Sequence, residues 1–346
     1  MDFLDELESH ALPGDGAMGT LLMERGIPLG RCFEELSVSE SAMIQQIHAD
    51  YIAAGARVIE TNTFGANAVR LARHGLEHRV GEINWTAAQL ARTAARAHEV
   101  YVAGSVGPLG LTAEEATRQR IDRATVFNEQ IGSLLDGGAQ LIFLETFLDL
   151  DELLIALEVK QSLHHCPAIC SLACNEEGRL PTGMHVRDAF TRLRAADADV
   201  VGLNCVNGPH AMTRLFASED FAAPVAAFPN AGHPQYFEGR FLYFASPEYF
   251  AASALHLAQH GARLIGGCCG TGPRHVAAIA EALRDFAPSR PRPTISTTGF
   301  GRIEPLRASA KSESVAAPGA TAPSEEPTLP ELVAQGRTVL IAELDP

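Results

Sequence analysis

No stretch of this sequence approaches the ~18 uninterrupted apolar residues that a membrane-crossing helix needs. Its first ten residues, MDFLDELESH, are acidic where a secretory leader is basic and then apolar. Both absences point to a cytoplasmic protein with no membrane partner. Basic residues are in the minority, with 27 Lys and Arg against 42 Asp and Glu and a net charge of −15. No basic cluster runs against that balance, which argues against a nucleic-acid backbone or an anionic lipid surface as partner. A dense, even cysteine framework is also missing. Seven cysteines spread over 346 residues favour free or metal-bound thiols in a reducing compartment. The histidines show neither an HExxH motif nor paired spacing, so each is assigned to the surface or the core.

What is present is a repeated alternation of apolar runs and helical patterns. A short apolar segment reaches the turn GDGAMGT at residues 14–20, and a helix follows with Ser39 as its cap and Met43, Ile44, Ile47, Tyr51 and Ile52 on one face. Further strands are expected at 57–64, 100–106, 141–144, 167–175, 199–205, 224–228 and 263–265. Helical patterns separate most of them, including 121–135, 150–163, 186–196 and 247–260. The runs are apolar throughout rather than alternating, as parallel strands buried on both faces are. Eight such units over this length predict an α/β fold of the (β/α)8 TIM-barrel type, with an open doubly wound sheet as the alternative. In a barrel, the polar residues at the strands' C-terminal ends gather round one mouth.

Composition then divides the chain. Residues 1–287 are assigned to the barrel, and residues 288–327, rich in Pro, Ser, Thr and Ala, to a flexible linker. Residues 328–346 regain an apolar pattern that ends TVLIAELDP, the start of a second, truncated domain.

The densest chemical signal is GGCCGTGP at residues 266–273. Adjacent residues of a regular strand face opposite ways, so Cys268 and Cys269 can share one ion only if the strand breaks there, which the flanking glycines allow. Cys205, in GLNCVNGP, has the same layout of apolar run, cysteine and Gly-Pro loop. Three such thiols suit zinc. The alternatives are three buried cysteines that act as small apolar side chains, or a vicinal disulfide at Cys268 and Cys269. Cys166, Cys170 and Cys174 are spaced four apart without a CxxC pair, so they are assigned to packing, as is Cys32. Asp15 and Glu145, at strand ends, can together grip an ammonium group, while the amides of Gly16 and Ala17 can receive a carboxylate. An α-amino acid carries both groups.

The stretches GDGAMGT, ETNTFGAN (60–67), LETF (144–147), GLNCVNGP and GGCCGTGP resemble the zinc-dependent homocysteine S-methyltransferases over roughly residues 10–285. The resemblance implies that Cys205, Cys268 and Cys269 bind Zn2+, and that Asp15, Gly16, Ala17 and Glu145 hold the amino-acid end of homocysteine. Thr63 falls in a substrate-contacting stretch. It further implies methyl transfer to the homocysteine thiolate, forming methionine. Gly65 stands where betaine-using relatives carry an aromatic residue, and no cobalamin-binding DxHxxG motif is present. That leaves 5-methyltetrahydrofolate, used directly or through a cobalamin partner, or a sulfonium such as S-methylmethionine or S-adenosylmethionine. The terminal TVLIAELDP is similar to the opening of methylenetetrahydrofolate reductase, implying a bifunctional polypeptide with a linked folate reductase domain. A non-catalytic zinc barrel that docks such a domain is the competing expectation.

Overall fold

Short apolar runs, each followed by a helix that covers one side, assemble into one parallel sheet. The computed structural model describes residues 2–205, 208–221, 224–237 and 240–287. The expected linker and truncated second domain, 288–346, lie outside the described residues. Among the described residues there are ten strands: β1 (Leu12–Pro13), β2 (Val58–Glu60), β3 (Tyr101–Val106), β4 (Leu141–Phe147), β5 (Ala168–Leu172), β6 (Val200–Asn204), β7 (Val225–Phe228), β8 (Gln235–Phe237), β9 (Arg240–Leu242) and β10 (Ala262–Ile265). Eight of these pair in parallel in the order β1, β10, β7, β6, β5, β4, β3, β2. A bridge between Gly14 and Val58 brings the two edges together. The result is a nearly closed parallel barrel of the (β/α)8 type, not an open sheet.

Period-two alternation sorts the strand residues. Val58, Ala103, Leu141, Phe143, Ile169, Val200, Ala226, Phe228 and Leu264 form one cluster inside the barrel, which Phe3 and Leu7 of the N-terminal helix Phe3–Ser9 join from below. Phe143 and Phe228 meet edge to face at 5.1 Å across it, a geometry that adds ~1 kcal/mol to burial alone. The intervening residues Ile142, Cys170, Val201, Val225 and Ile265 face the helical shell. Cys170 is fully buried there, and Cys166 and Cys174 pack against the same cluster, as expected.

Several sequence expectations shift. The helix with Ile44, Ile47 and Tyr51 buried runs Ser41–Ala53, and Glu40, not Ser39, precedes it. Ser39 ends a separate short helix, Leu36–Ser39, and its hydroxyl donates to Glu35. The strand expected at 57–64 stops at Glu60 because the Thr63 amide bonds the Thr61 carbonyl and turns the chain. That expected at 167–175 is confined to Ala168–Leu172. The antiparallel hairpin of β8 and β9, and the helices Gly19–Glu24, Ala113–Gln119 and Pro209–Ser218, were not anticipated. Helix Ala113–Gln119 nevertheless announces itself locally, with Thr112 and Glu115 forming a complete capping box.

Candidate active site

Continuing the same alternation up the strands places a polar side chain at the inward position nearest the C-terminal end of five of them. After Val58 comes Glu60, after Ala103 Ser105, after Phe143 Glu145, after Ile169 Ser171, and after Val200 and Gly202 comes Asn204. Glu60, Ser105 and Glu145, together with the loops after β1 and β10, line a cavity of about 320 Å3 whose walls include Asp15, Thr63, Cys205, Cys268 and Cys269, while Ser171 and Asn204 lie buried beneath it.

One wall is sulfur. β10 ends at Ile265, so the strand does break before the cysteine pair, and the amide of Cys268 bonds the Pro229 carbonyl while the Cys269 carbonyl accepts from Ala231. Cys205 follows β6 directly, with φ of 53°, a left-handed conformation that turns its side chain out of the strand's alternation. The three sulfurs lie within 4.8 Å of one another, with Cys268 Sγ 3.3 Å and Cys269 Sγ 3.7 Å from Cys205 Sγ. Two sulfurs about 2.3 Å from a tetrahedral ion stand about 3.8 Å apart, so this trio fits one thiophilic metal with a position to spare. Hydrogen bonds from Cys205 and Cys268 pull the Cys269 thiol down to about 3. Its hydrogen bonding with Cys205 and Cys269 pushes Cys268 well above the ordinary thiol range. Tyr243, just beyond the unanticipated hairpin, also helps hold the Cys269 thiol down.

The opposite wall is carboxylate. Asp15 Oδ2 accepts the Glu60 amide at 2.8 Å, and the Asp15 carbonyl accepts from Gly267 at 2.9 Å, tying the first loop to the cysteine loop. Such an approach requires glycine at 266, where a Cβ would fall 2.3 Å from the Phe228 ring and 2.7 Å from the Asp15 carbonyl. Burial pushes the carboxyls of Asp15, Glu60 and Glu145 upward, and the negative charge of neighbours adds to the rise in each, Glu145 for Asp15 and for Glu60 and Cys269 for Glu145. Glu145 is held by Ser105 and by Asn204 Nδ2, the latter at 3.2 Å. Among the described residues, no ion pair includes any of these three acids. Asp15 is buried and Glu60 and Glu145 are half-buried, and three such acids without a cationic side chain can receive a positive group.

The remaining expected residues sit in the same cavity with different duties. Ala17 has its amide shared at 3.2 Å between the carbonyl and the hydroxyl of Thr271, and its carbonyl accepts from Tyr51. Thr63 is fully buried, its hydroxyl 2.6 Å from that of Thr61 and donating to the Ser105 carbonyl at 2.7 Å. These bonds make it a brace between the ends of β2 and β3. Glu60, Ser105 and Asn204 were not singled out from sequence. The signal was available, since each is the polar residue two or four positions after an inward apolar one in a parallel strand.

The match to a sequence model described as Homocysteine S-methyltransferase runs over residues 13–283. Methionine synthase of Mycobacterium leprae (strain TN) is 32% identical over 302 residues, covering 82% of this chain and 25% of the relative. Methionine synthase of Mycobacterium tuberculosis (strain ATCC 25618 / H37Rv) is 31% identical over 320 residues, covering 85% and 26%. The chain thus spans about a quarter of the length of these curated relatives. Among solved structures, the metallated form of the homocysteine methyltransferase MmuM from Escherichia coli superposes with a TM-score of 0.64 at 27% identity, over 79% of this chain and 96% of that one.

Proposed function

The chain belongs to the homocysteine S-methyltransferase family, and from that premise we propose that it transfers a methyl group to the thiolate of homocysteine, forming methionine, with zinc held by Cys205, Cys268 and Cys269. The observation that carries this reading is one cavity with a thiol trio on one wall and three unpaired acids on the other. Zinc bound there supplies Lewis acidity that keeps a substrate thiol deprotonated at neutral pH. The acids Asp15, Glu60 and Glu145 receive the substrate ammonium. The Gly16 and Ala17 loop receives its carboxylate, competing for the long, divided bond that the Ala17 amide makes to Thr271. Thr63 braces this wall through Ser105.

With the ammonium and carboxylate of the amino-acid end both held, the sulfur is directed towards the thiol wall, which lowers the entropic cost of meeting the donor. In the transfer, a sulfur lone pair forms the new S–CH3 bond while the donor's bond to that methyl breaks and its electron pair leaves with the donor. No side chain has to remove a proton at that stage. The donor is 5-methyltetrahydrofolate, used directly or through a cobalamin partner, or a sulfonium. The likeness of the terminal segment to a folate reductase supports folate, with such a domain as the linked partner and the cytoplasm as the compartment.

A panel of these donors with zinc-loaded protein tests the reading. Methionine should form with at least one, and a zinc-loaded chain inert towards all of them overturns it. The competing docking module has its metal closed by a fourth protein ligand. Cobalt substitution separates the two, because homocysteine should alter the visible spectrum only where a coordination position is open.

A further inference from the structure

Asn204 joins the two walls of the cavity. It is 1% exposed, and all of its amide hydrogen-bonding capacity is used within the protein. The Thr146 amide can only donate, so the atom that it meets at 2.8 Å is Oδ1, which also accepts from Ser171 Oγ at 2.8 Å. That fixes the other side as Nδ2, which donates to Thr146 Oγ1 at 2.5 Å and to Glu145 Oε2 at 3.2 Å. Both chain positions beside these contacts are left-handed, Thr146 with φ of 62° and Cys205 with φ of 53°. For a β-branched residue this is a strained conformation, stable only where its surroundings impose it. Two hydrogen bonds from one side chain impose it here. The next residue along the backbone from Asn204 is Cys205 itself.

We propose that Asn204 is a positioning residue that fixes the Glu145 carboxylate relative to the Cys205 sulfur, and thereby favours a thiol that carries an ammonium group. The proposal rests on the reading of the cavity as a homocysteine site. Without the Nδ2 donor, Glu145 loses a restraint on Oε2 and Thr146 loses a contact that holds its turn. The sulfur wall keeps its three ligands. Asn204 therefore matters to a thiol that carries an ammonium group and not to one that lacks it.

The experiment is a spectroscopic titration of the cobalt-substituted protein with homocysteine and with 4-mercaptobutyrate, which has the same chain length and carboxylate but no amino group. The parent should prefer homocysteine by about 10- to 100-fold, the worth of a charged hydrogen-bonded anchor. In Asn204→Ala, that preference should shrink to within about 3-fold while one cobalt per chain is retained. Asn204→Asp keeps the Oδ1 acceptor but sets an oxygen against Glu145, and it should lose the preference as well. An unchanged preference in both metal-loaded variants overturns the proposal, and so does loss of cobalt from both, which would put Asn204 in the service of Cys205 alone. If Asn204→Ala does not fold or load, Asn204→Asp decides. A parent whose spectrum responds to neither thiol refutes the homocysteine site itself, a different result.

Discussion

The two ends of the barrel treat buried carboxylates in opposite ways. At the N-terminal end, Glu6 is matched: Arg57 pairs with it at 2.7 Å and the Tyr101 hydroxyl donates to it at 3.0 Å. A wide depression of about 780 Å3 opens beside them, lined by Arg57, Tyr101, Arg92 and Phe286 among others. At the C-terminal mouth, the cavity is smaller, about 320 Å3, yet Asp15, Glu60 and Glu145 converge there beside three thiols, with no cationic side chain among the described residues that line it. In the larger hollow Glu6 has its cation, while the smaller one has acids and no cationic side chain. Acids without a counter-charge, rather than volume, mark the candidate site, because clustering carboxyls away from water without a cation is costly.

The largest effect should come from the sulfur wall. Cys268→Ala is expected to abolish metal retention and methionine formation together, measured by metal stoichiometry and turnover of the purified protein. Retention of full turnover without metal would dissolve the distinction between the two ends.

Next is Glu145→Gln, which removes a charge from the unmatched end. The affinity for homocysteine should fall about 10- to 100-fold, read as a rise in KM. Stability should change in the other direction. The mouth acids titrate above the ordinary carboxyl range in the folded chain because burial raises them. Their favourable share of folding is therefore present at low pH and lost as pH rises through the raised values. Glu145→Gln should accordingly weaken less than the parent as pH increases, a comparison that thermal melts at pH 5 and pH 8 make directly.

His48 sharpens the comparison from outside both ends. It is fully buried, neither ring nitrogen has a partner among the described residues, and burial lowers its pKa to about 4. Unlike the mouth acids, it lines no cavity described above. The unfolded chain titrates near 6.5, so stability present above that pH is lost as pH falls towards 4, by ~3 kcal/mol in all. His48→Leu should flatten this acid limb, seen as a smaller change in urea midpoint between pH 7 and pH 4.5, and should leave homocysteine affinity unaltered.

The smallest effect belongs to the matched end. Glu6→Gln breaks a pair whose arginine is one-third exposed, and the cost should be about 1 kcal/mol. Chemical denaturation should register it while KM for homocysteine stays the same.

Much of this was legible in the residues. The apolar runs at 141–144 and 224–228 fall within or beside strands of the barrel, and Cys205 meets Cys268 and Cys269 as anticipated, although 63 residues separate it from the nearer of the two. Glu60 was visible only as part of a family motif, and Asn204 only as the neighbour of a cysteine. Both lie at inward strand positions whose significance depends on register. Thr63 and Ala17 both line the cavity, but their hydrogen bonds to Ser105 and Thr271 involve partners 42 and 254 residues away. The Ser39 cap failed because the intervening short helix takes that residue as its last.

Sequence by itself determined the order of strands and helices, the glycine-flanked breaks that free the cysteines, and the acids that lie at strand ends. These follow from local rules: periodicity, backbone freedom at glycine and the cost of burying polar groups. Only the tertiary structure decided that Asp15, Glu60 and Glu145 share one cavity without a counter-ion among the described residues, and that Asn204, next to Cys205 in the chain, bonds Glu145. Barrel closure brings strand ends together whatever their separation in the chain, and the strength of a charge or a hydrogen bond depends on what lies a few ångströms away in space.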